Sequence, residues 1–270
     1  MARDDHAAAP AGRRRGASPL LAAVLAILAL LLIVLFAGLG TWQVFRLQWK
    51  LDLIARVEAR VHAAPAPLPS RTSWAGITPE SDEYRRVTLH GTYLYDLTTP
   101  VQALTEEGSG YWLLTPLCTT EGIVLVNRGF IPAELGARTR YTPQRATVNP
   151  CAGSGGNAAD VTGLLRTSER NGAFTRTNDP AANRWYTRDV AAIAAARGIE
   201  AAPFFVDAAA RQNPPDSPDQ PAGGLTVVKF PNSHLVYAFT WYSLALMVAA
   251  AWWWVARSRG EEHEHDERHD

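Results

Sequence analysis

Two long stretches of the chain are predominantly apolar and uncharged, and the segment between them changes in pattern along its length. The runs from Leu20 to Gly40 and from Leu235 to Ala256 contain no charged residue. Each exceeds the roughly 20 residues that a helix needs to cross a ~30 Å hydrocarbon core, so both are predicted to be membrane helices. Beyond the first run, Val44, Leu47, Leu51, Ile54, Val57 and Val61 recur at helical spacing. This predicts an amphipathic membrane-proximal helix, stopped by the prolines of "APAPLPSR".

From Tyr84 the period changes to two. In "YRRVTLHGTYLYD", Val87, Leu89, Gly91, Tyr93 and Tyr95 share one side of a strand. Further strands are predicted at Trp112–Cys118, Ile123–Phe130, Val161–Thr167, Phe204–Val206 and Leu225–Phe230, with turn-rich spacers between them. One helix, Asp189–Arg197, ends at Gly198, a residue suited to the position after a helix C-terminus. Short strands with mostly short connections favour antiparallel pairing over a doubly wound sheet. The expected fold class is therefore α+β: two membrane helices flanking a mainly antiparallel barrel or sandwich with one or two short helices.

Charge orients this arrangement. Arg13, Arg14 and Arg15 precede the first run, while Arg257 and Arg259 follow the second. The positive-inside rule then puts both termini in the cytoplasm and exports the segment between the runs. Arg46 and Lys50, beyond the first run, weigh slightly against this. The expected order is a cytoplasmic tail (1–18), a first span (19–42), a periplasmic β-rich domain with its proximal helix (43–233), a second span (234–256) and a polar cytoplasmic tail (257–270). The first run is longer than the ~7–15 apolar residues of a signal peptide and continues into further helix, which favours a retained anchor. Formal charge is balanced, with 26 basic and 26 acidic residues, so nothing favours a nucleic-acid partner. Cys118 and Cys151 both fall in the exported segment, where a disulfide is permitted but spacing alone does not show one.

Motifs for catalysis are missing: no G-x-S-x-G elbow, H-E-x-x-H pair, phosphate loop or dinucleotide fingerprint occurs. The expectation is a protein that is not an enzyme. The acidic loop residues and the histidine-containing tail "EEHEHDERHD" read as solvated polar segments, and His90 as an exposed strand histidine. Arg128 in "VNRGFIP" either holds an anionic partner group or ties down a turn through its guanidinium donors. Gly91, inside a strand, marks a bulge or a close approach of two backbones.

His234 stands at the mouth of the second run. At about 100° per residue, His234, Tyr237, Ala238, Trp241 and Ala245 fall within one helical sector. The first run offers Ala37, Gly38, Gly40, Thr41 and Trp42 at matching depth, and small residues let helices or a flat ligand approach closely. Two readings follow from the residues. His234 is an interfacial ring among lipid headgroups, or its neutral nitrogen coordinates a metal whose macrocycle enters the groove.

In order along the chain, "GTWQVFRLQWK", "YRRVTLHGTYLYD", "VLVNRGFIP", "VTGLLRTSE", "NDPAANRWYTRDV" and "PNSHLVYAFTWYSLAL" together resemble the Surfeit-locus family of cytochrome c oxidase assembly factors. The resemblance implies two membrane helices around an exported domain in the cell inner membrane, and participation in haem a delivery to the oxidase catalytic subunit. Implied partners are that subunit, the haem a synthesis machinery and membrane lipid. His234 matches the family's proposed haem a ligand, Trp42 the tryptophan ending the first span, and Tyr237 and Trp241 the aromatic positions after the histidine. Gly91 matches the strand glycine. The alternative is a cofactor-free docking scaffold for an unassembled oxidase subunit.

Overall fold

The structure, a computed structural model, describes residues 19–135, 140–146, 149–152, 158–169, 176–226, 230 and 232–266. Two compact units divide the chain: residues 1–52 with 230–270, and residues 53–229.

The first unit contains the apolar part of helix α1, Pro19–His62, and helix α4, His234–Asp266. Both α1 and the His234–Ser258 stretch of α4 are long and apolar enough to cross a membrane. Helix α1 runs 44 residues without a break, about 66 Å at 1.5 Å per residue. It therefore outlasts a ~30 Å hydrocarbon core. The helix passes through Trp42 without a break, as the helical period starting at Val44 predicts. The basic residues Arg60 and His62 in its last turn face the negative end of the helix dipole.

The second unit is a β-barrel. Its strands are β1 (Ala66–Pro67), β2 (Arg86–Tyr93), β3 (Thr99–Thr105), β4 (Gly108–Thr119), β5 (Gly122–Pro132), β6 (Ala158–Thr167) and β7 (Ala201–Ala208). They follow the order β1-β2-β6-β7-β5-β4-β3, and an additional β2–β4 pairing closes five of them into a ring. Within the ring, β2–β6, β6–β7, β4–β5 and β2–β4 are antiparallel. The β5–β7 seam is parallel, so the barrel is mainly antiparallel, as expected from the sequence. Two strands were not predicted. Strand β1 has only two residues, within the proline-rich stretch, and β3 begins "TP", a pair that reads as a turn. The strand expected at Leu225–Phe230 is not formed at Leu225 and Thr226, and 227–229 lie outside the described residues.

Side-chain alternation explains which strands were easiest to see. Strand β2 buries Val87, Leu89 and Tyr93 and exposes Thr88 and His90, which gives its clean period of two. Strand β5 is buried on both sides. Val124 and Val126 join the barrel interior with Leu89, Leu117, Phe204 and Val206. Leu125 points the other way, against Phe205, Trp185 and the residues Val190 and Ile193 of helix α3 (Val190–Arg197; the short helix α2 is Pro79–Asp82). A strand covered on both faces loses alternation and reads as a continuous apolar run. Helix α3, Val190–Arg197, has both expected ends: the Asp189 carboxylate accepts from the Ala192 N–H, and Gly198 closes it at φ +69°.

The ring closes at Gly91, opposite Thr119 in the β2–β4 pairing. A Cβ at this position would lie 2.1 Å from the Cys118 carbonyl oxygen. Only glycine admits that approach. One residue along the same rim, Cys118 is disulfide-bonded to Cys151 across 33 residues of sequence, with Cα atoms 5.8 Å apart. The bond resolves the question that cysteine spacing left open.

Candidate functional site

Helices α1 and α4 pack antiparallel through a short set of contacts. Phe36, Gly40 and Gln43 lie on one stripe of α1, while His234, Ala238, Trp241 and Ala245 lie on one stripe of α4. The Phe36 and Trp241 rings stack with centroids 5.7 Å apart. Gly40 lies beneath Tyr242, whose ring carbons would stand 3.0 Å from an added Cβ. The Tyr242 hydroxyl is 2.9 Å from Thr41 Oγ1, which itself donates to the Ala37 carbonyl. Ala238 and Ala245 are buried. Small residues at these positions let the two backbones approach.

His234 closes the stripe at the end of the pair. Its Nδ1 is 2.8 Å from Oε1 of Gln43, which is 9% exposed. An amide oxygen only accepts, so the ring donates its Nδ1–H. The other ring nitrogen, Nε2, has no hydrogen-bond partner among the described residues. A neutral imidazole in this tautomer has its lone pair on Nε2, the form in which histidine ligates a metal. The donor set therefore fits a haem iron, which a single histidine commonly holds.

The sequence-predicted residues separate here. His234 and Trp241 sit on the face toward α1. Trp42 and Tyr237 remain 56% and 52% exposed, so they offer aromatic surface near the histidine end rather than lining the contact between the helices. Gly38 meets nothing within 4 Å of where a Cβ would be. Gln43, Phe36 and Tyr242 went unnoticed in the sequence. The available signal was the Phe36–Gly40–Gln43 spacing, which carries the apolar stripe to a polar residue just beyond Trp42.

In the barrel, Arg128 is fully buried. Its Nε donates to Asn213 Oδ1 at 3.0 Å, and Nη2 donates to the Pro218 and Asp219 carbonyls. Its guanidinium lies 4.7 Å above the Tyr95 ring. These contacts tie the 213–221 segment to β5. Burial pushes the Tyr93 and Tyr95 phenols above their ordinary range, with the Arg128 charge opposing it.

A second charged group surrounds Asp207, on β7. Its carboxylate accepts from Asn127 at 2.7 Å, Arg166 at 2.8 Å, Arg188 at 3.0 Å and Thr226 at 3.0 Å. Arg166 continues to Glu83, and Arg188 to Glu169. Burial alone would raise the Glu169 carboxyl, but the hydrogen bonds and charge of Arg188 outweigh it and hold the group below its ordinary value. For Arg166, burial works against the cation, yet Asp207 and Glu83 keep it protonated beyond its ordinary range. The network lines a cavity of about 620 Å³ with Trp112 and the β3–β4 hairpin. Each arginine already has carboxylate partners, so this cluster is a closed internal salt-bridge system. His90 is exposed and bonds Asp160 across the β2–β6 pair.

Comparison with known proteins matches residues 30–246 to the SURF1 family. Over 233 residues the chain is 36% identical to Surfeit locus protein 1 of Homo sapiens, covering 80% of this chain and 72% of that one. It is 36% identical over 236 residues to the SURF1-like protein of Monosiga brevicollis, covering 83% and 84%. Against the SURF1-like protein of Caenorhabditis elegans it is 30% identical over 240 residues, covering 80% and 68%. The matched region takes in the His234 end of the helix pair and the whole barrel, and the chain belongs to the SURF1 family.

Proposed function

We propose that this protein is a membrane assembly factor for cytochrome c oxidase that binds haem a through His234 and assists its insertion into the catalytic subunit. The observation that carries the reading is the imidazole held by Gln43 through Nδ1, with Nε2 unpartnered among the described residues. When bound, haem a supplies an iron that accepts an imidazole nitrogen. Within this reading, His234 is the iron ligand, and Trp42, Tyr237 and Trp241 contribute aromatic surface to the macrocycle. One protein ligand suits a cofactor that must be passed on, because release breaks a single coordinate bond. The role is that of a carrier and not of a turnover enzyme.

The reading sets the chain in the cell inner membrane, with both termini cytoplasmic and the barrel periplasmic. Arg257 and Arg259 after the second span support that orientation. So does the Cys118–Cys151 disulfide, since such bonds persist in oxidising compartments. Its partners are the oxidase catalytic subunit, the haem a synthesis machinery and membrane lipid.

The test is purification from cells that make haem a, followed by the visible spectrum. Wild-type protein carries haem a, and His234→Ala loses it. Equal haem content and an unchanged spectrum in the variant would remove His234 as ligand. A second reading makes the barrel a cofactor-free docking module for an unassembled oxidase subunit. Leu104 favours it, being 86% exposed near the β3–β4 hairpin tip beside the cavity. Capture of that subunit by haem-free protein, with assembly restored, would support this alternative.

A further inference from the structure

We propose that Gln43 is a positioning residue that selects the tautomer of His234 and aims its Nε2 at the cofactor. The inference rests on the reading of His234 as the iron ligand. Its own content, however, is a property of the haem-free chain.

A neutral imidazole has one ring proton, and which nitrogen holds it depends on the surrounding hydrogen bonds. At His234 the decisive partner is Gln43 Oε1, 2.8 Å from Nδ1. The oxygen has lone pairs and no proton, so the ring proton resides on Nδ1 and the Nε2 lone pair is exposed for coordination. Had a donor faced Nδ1 instead, Nε2 would hold the proton and could not ligate.

The acceptor is well fixed. Gln43 is 9% exposed and sits seven residues after Phe36, which stacks on Trp241 at 5.7 Å. One turn earlier, Gly40 and Thr41 are held by Tyr242, through ring packing and the 2.9 Å hydroxyl contact. Two helical turns of α1 are thus clamped to α4, and the amide oxygen inherits that registration. A freely rotating acceptor would orient the ring poorly.

The chemical type of the acceptor matters as well. Hydrogen bonding to the distal nitrogen raises the basicity of a ligating histidine, and a carboxylate does so more strongly than a neutral amide. Glutamine therefore orients the imidazole while leaving its donor strength moderate. That combination fits a cofactor held only until transfer.

The experiment uses the full chain, labelled with ¹⁵N-histidine and purified haem-free in detergent. Long-range ¹H–¹⁵N correlation spectra report which ring nitrogen is protonated, with His234 assigned by its absence in His234→Ala. Wild-type His234 is expected as the Nδ1–H form. Gln43→Met, which keeps the shape and removes the acceptor, should lose that preference. Gln43→Glu should restore it, a rescue that a purely packing role would not produce. Haem a affinity should fall about tenfold in Gln43→Met, the lower end of what outer-shell partners of metal ligands contribute, and should recover in Gln43→Glu. A predominant Nε2–H form in wild type overturns the proposal whether or not haem binds. Retention of both tautomer and haem affinity in Gln43→Met also overturns it and leaves the ligand reading intact. The reverse result, a Gln43-dependent tautomer in a chain that takes up no haem, sinks the ligand reading and leaves the positioning role standing.

Discussion

The barrel and the helix pair differ in how heavily each is determined. In the barrel, five strands close on themselves, Val124, Val126, Phe204 and Val206 fill the interior, and Asp207 is bonded from four sides. Among the described residues the helix pair rests on a few contacts: one stacked ring pair, one tyrosine packed over a glycine and bonded to the neighbouring Thr41, and one imidazole–amide hydrogen bond. Most of its remaining apolar surface is exposed, as befits helices whose solvent would be lipid. A region held by many mutually dependent contacts transmits any single change into stability. One held by few can tune a ligand while its fold persists.

Breaking the barrel should therefore cost folding, and the largest effect is expected of Gly91→Glu. Gly91→Ala forces a Cβ toward the Cys118 carbonyl, an overpacking that typically costs ~1–3 kcal/mol. Gly91→Glu adds a carboxylate at the closure of the ring and is expected to abolish cooperative unfolding, as read by thermal melts and protease resistance. Next comes Asp207→Ala, which leaves Arg166 and Arg188 without their shared anion. Removing one side of a buried ion pair costs ~3–5 kcal/mol, measurable as a lower denaturant midpoint. The double variant Cys118→Ser with Cys151→Ser should lose ~2–4 kcal/mol, because a cross-link over 33 residues constrains the unfolded chain. In both of these variants haem a bound per folded molecule should stay at the wild-type level, which sharpens the contrast between the two regions.

The smallest effect concerns acid. Glu169 is depressed in the folded barrel relative to its ordinary value of 4.5. Its contribution is fully present above that value and is lost as pH falls through the lower folded one, since the unfolded chain then takes up the proton first. Unfolding midpoints followed downward from pH 5 should show a decline that Glu169→Gln makes shallower. An unchanged slope in the variant would contradict this account of the Arg188 pairing.

How legible each part was follows from the range of the interactions that make it. The membrane-length helices are written in long, uncharged, predominantly apolar runs. Strand β2 is legible because one face is wet, and α3 because Asp189 and Gly198 mark its ends. Strand β3 was concealed by Pro100 beside two threonines, and it forms through long-range pairing with β4. The parallel β5–β7 seam, the disulfide and the Asp207 network join residues 19 to 83 positions apart, and local pattern contains no record of such partners. In the helix pair, the sector containing His234 and Trp241 could be read from periodicity. Gln43 could not be paired with His234 without knowing which α1 stripe faces α4, and the exposed Trp42 drew attention one residue away.

The central claim is that one imidazole at the end of the helix pair ligates haem a. Its most direct measurement is the haem a spectrum of His234→Ala titrated with free imidazole. The account predicts that the wild-type absorbance disappears on substitution and returns as imidazole fills the vacated ligand position. Wild-type haem absorbance in His234→Ala without added imidazole would contradict it.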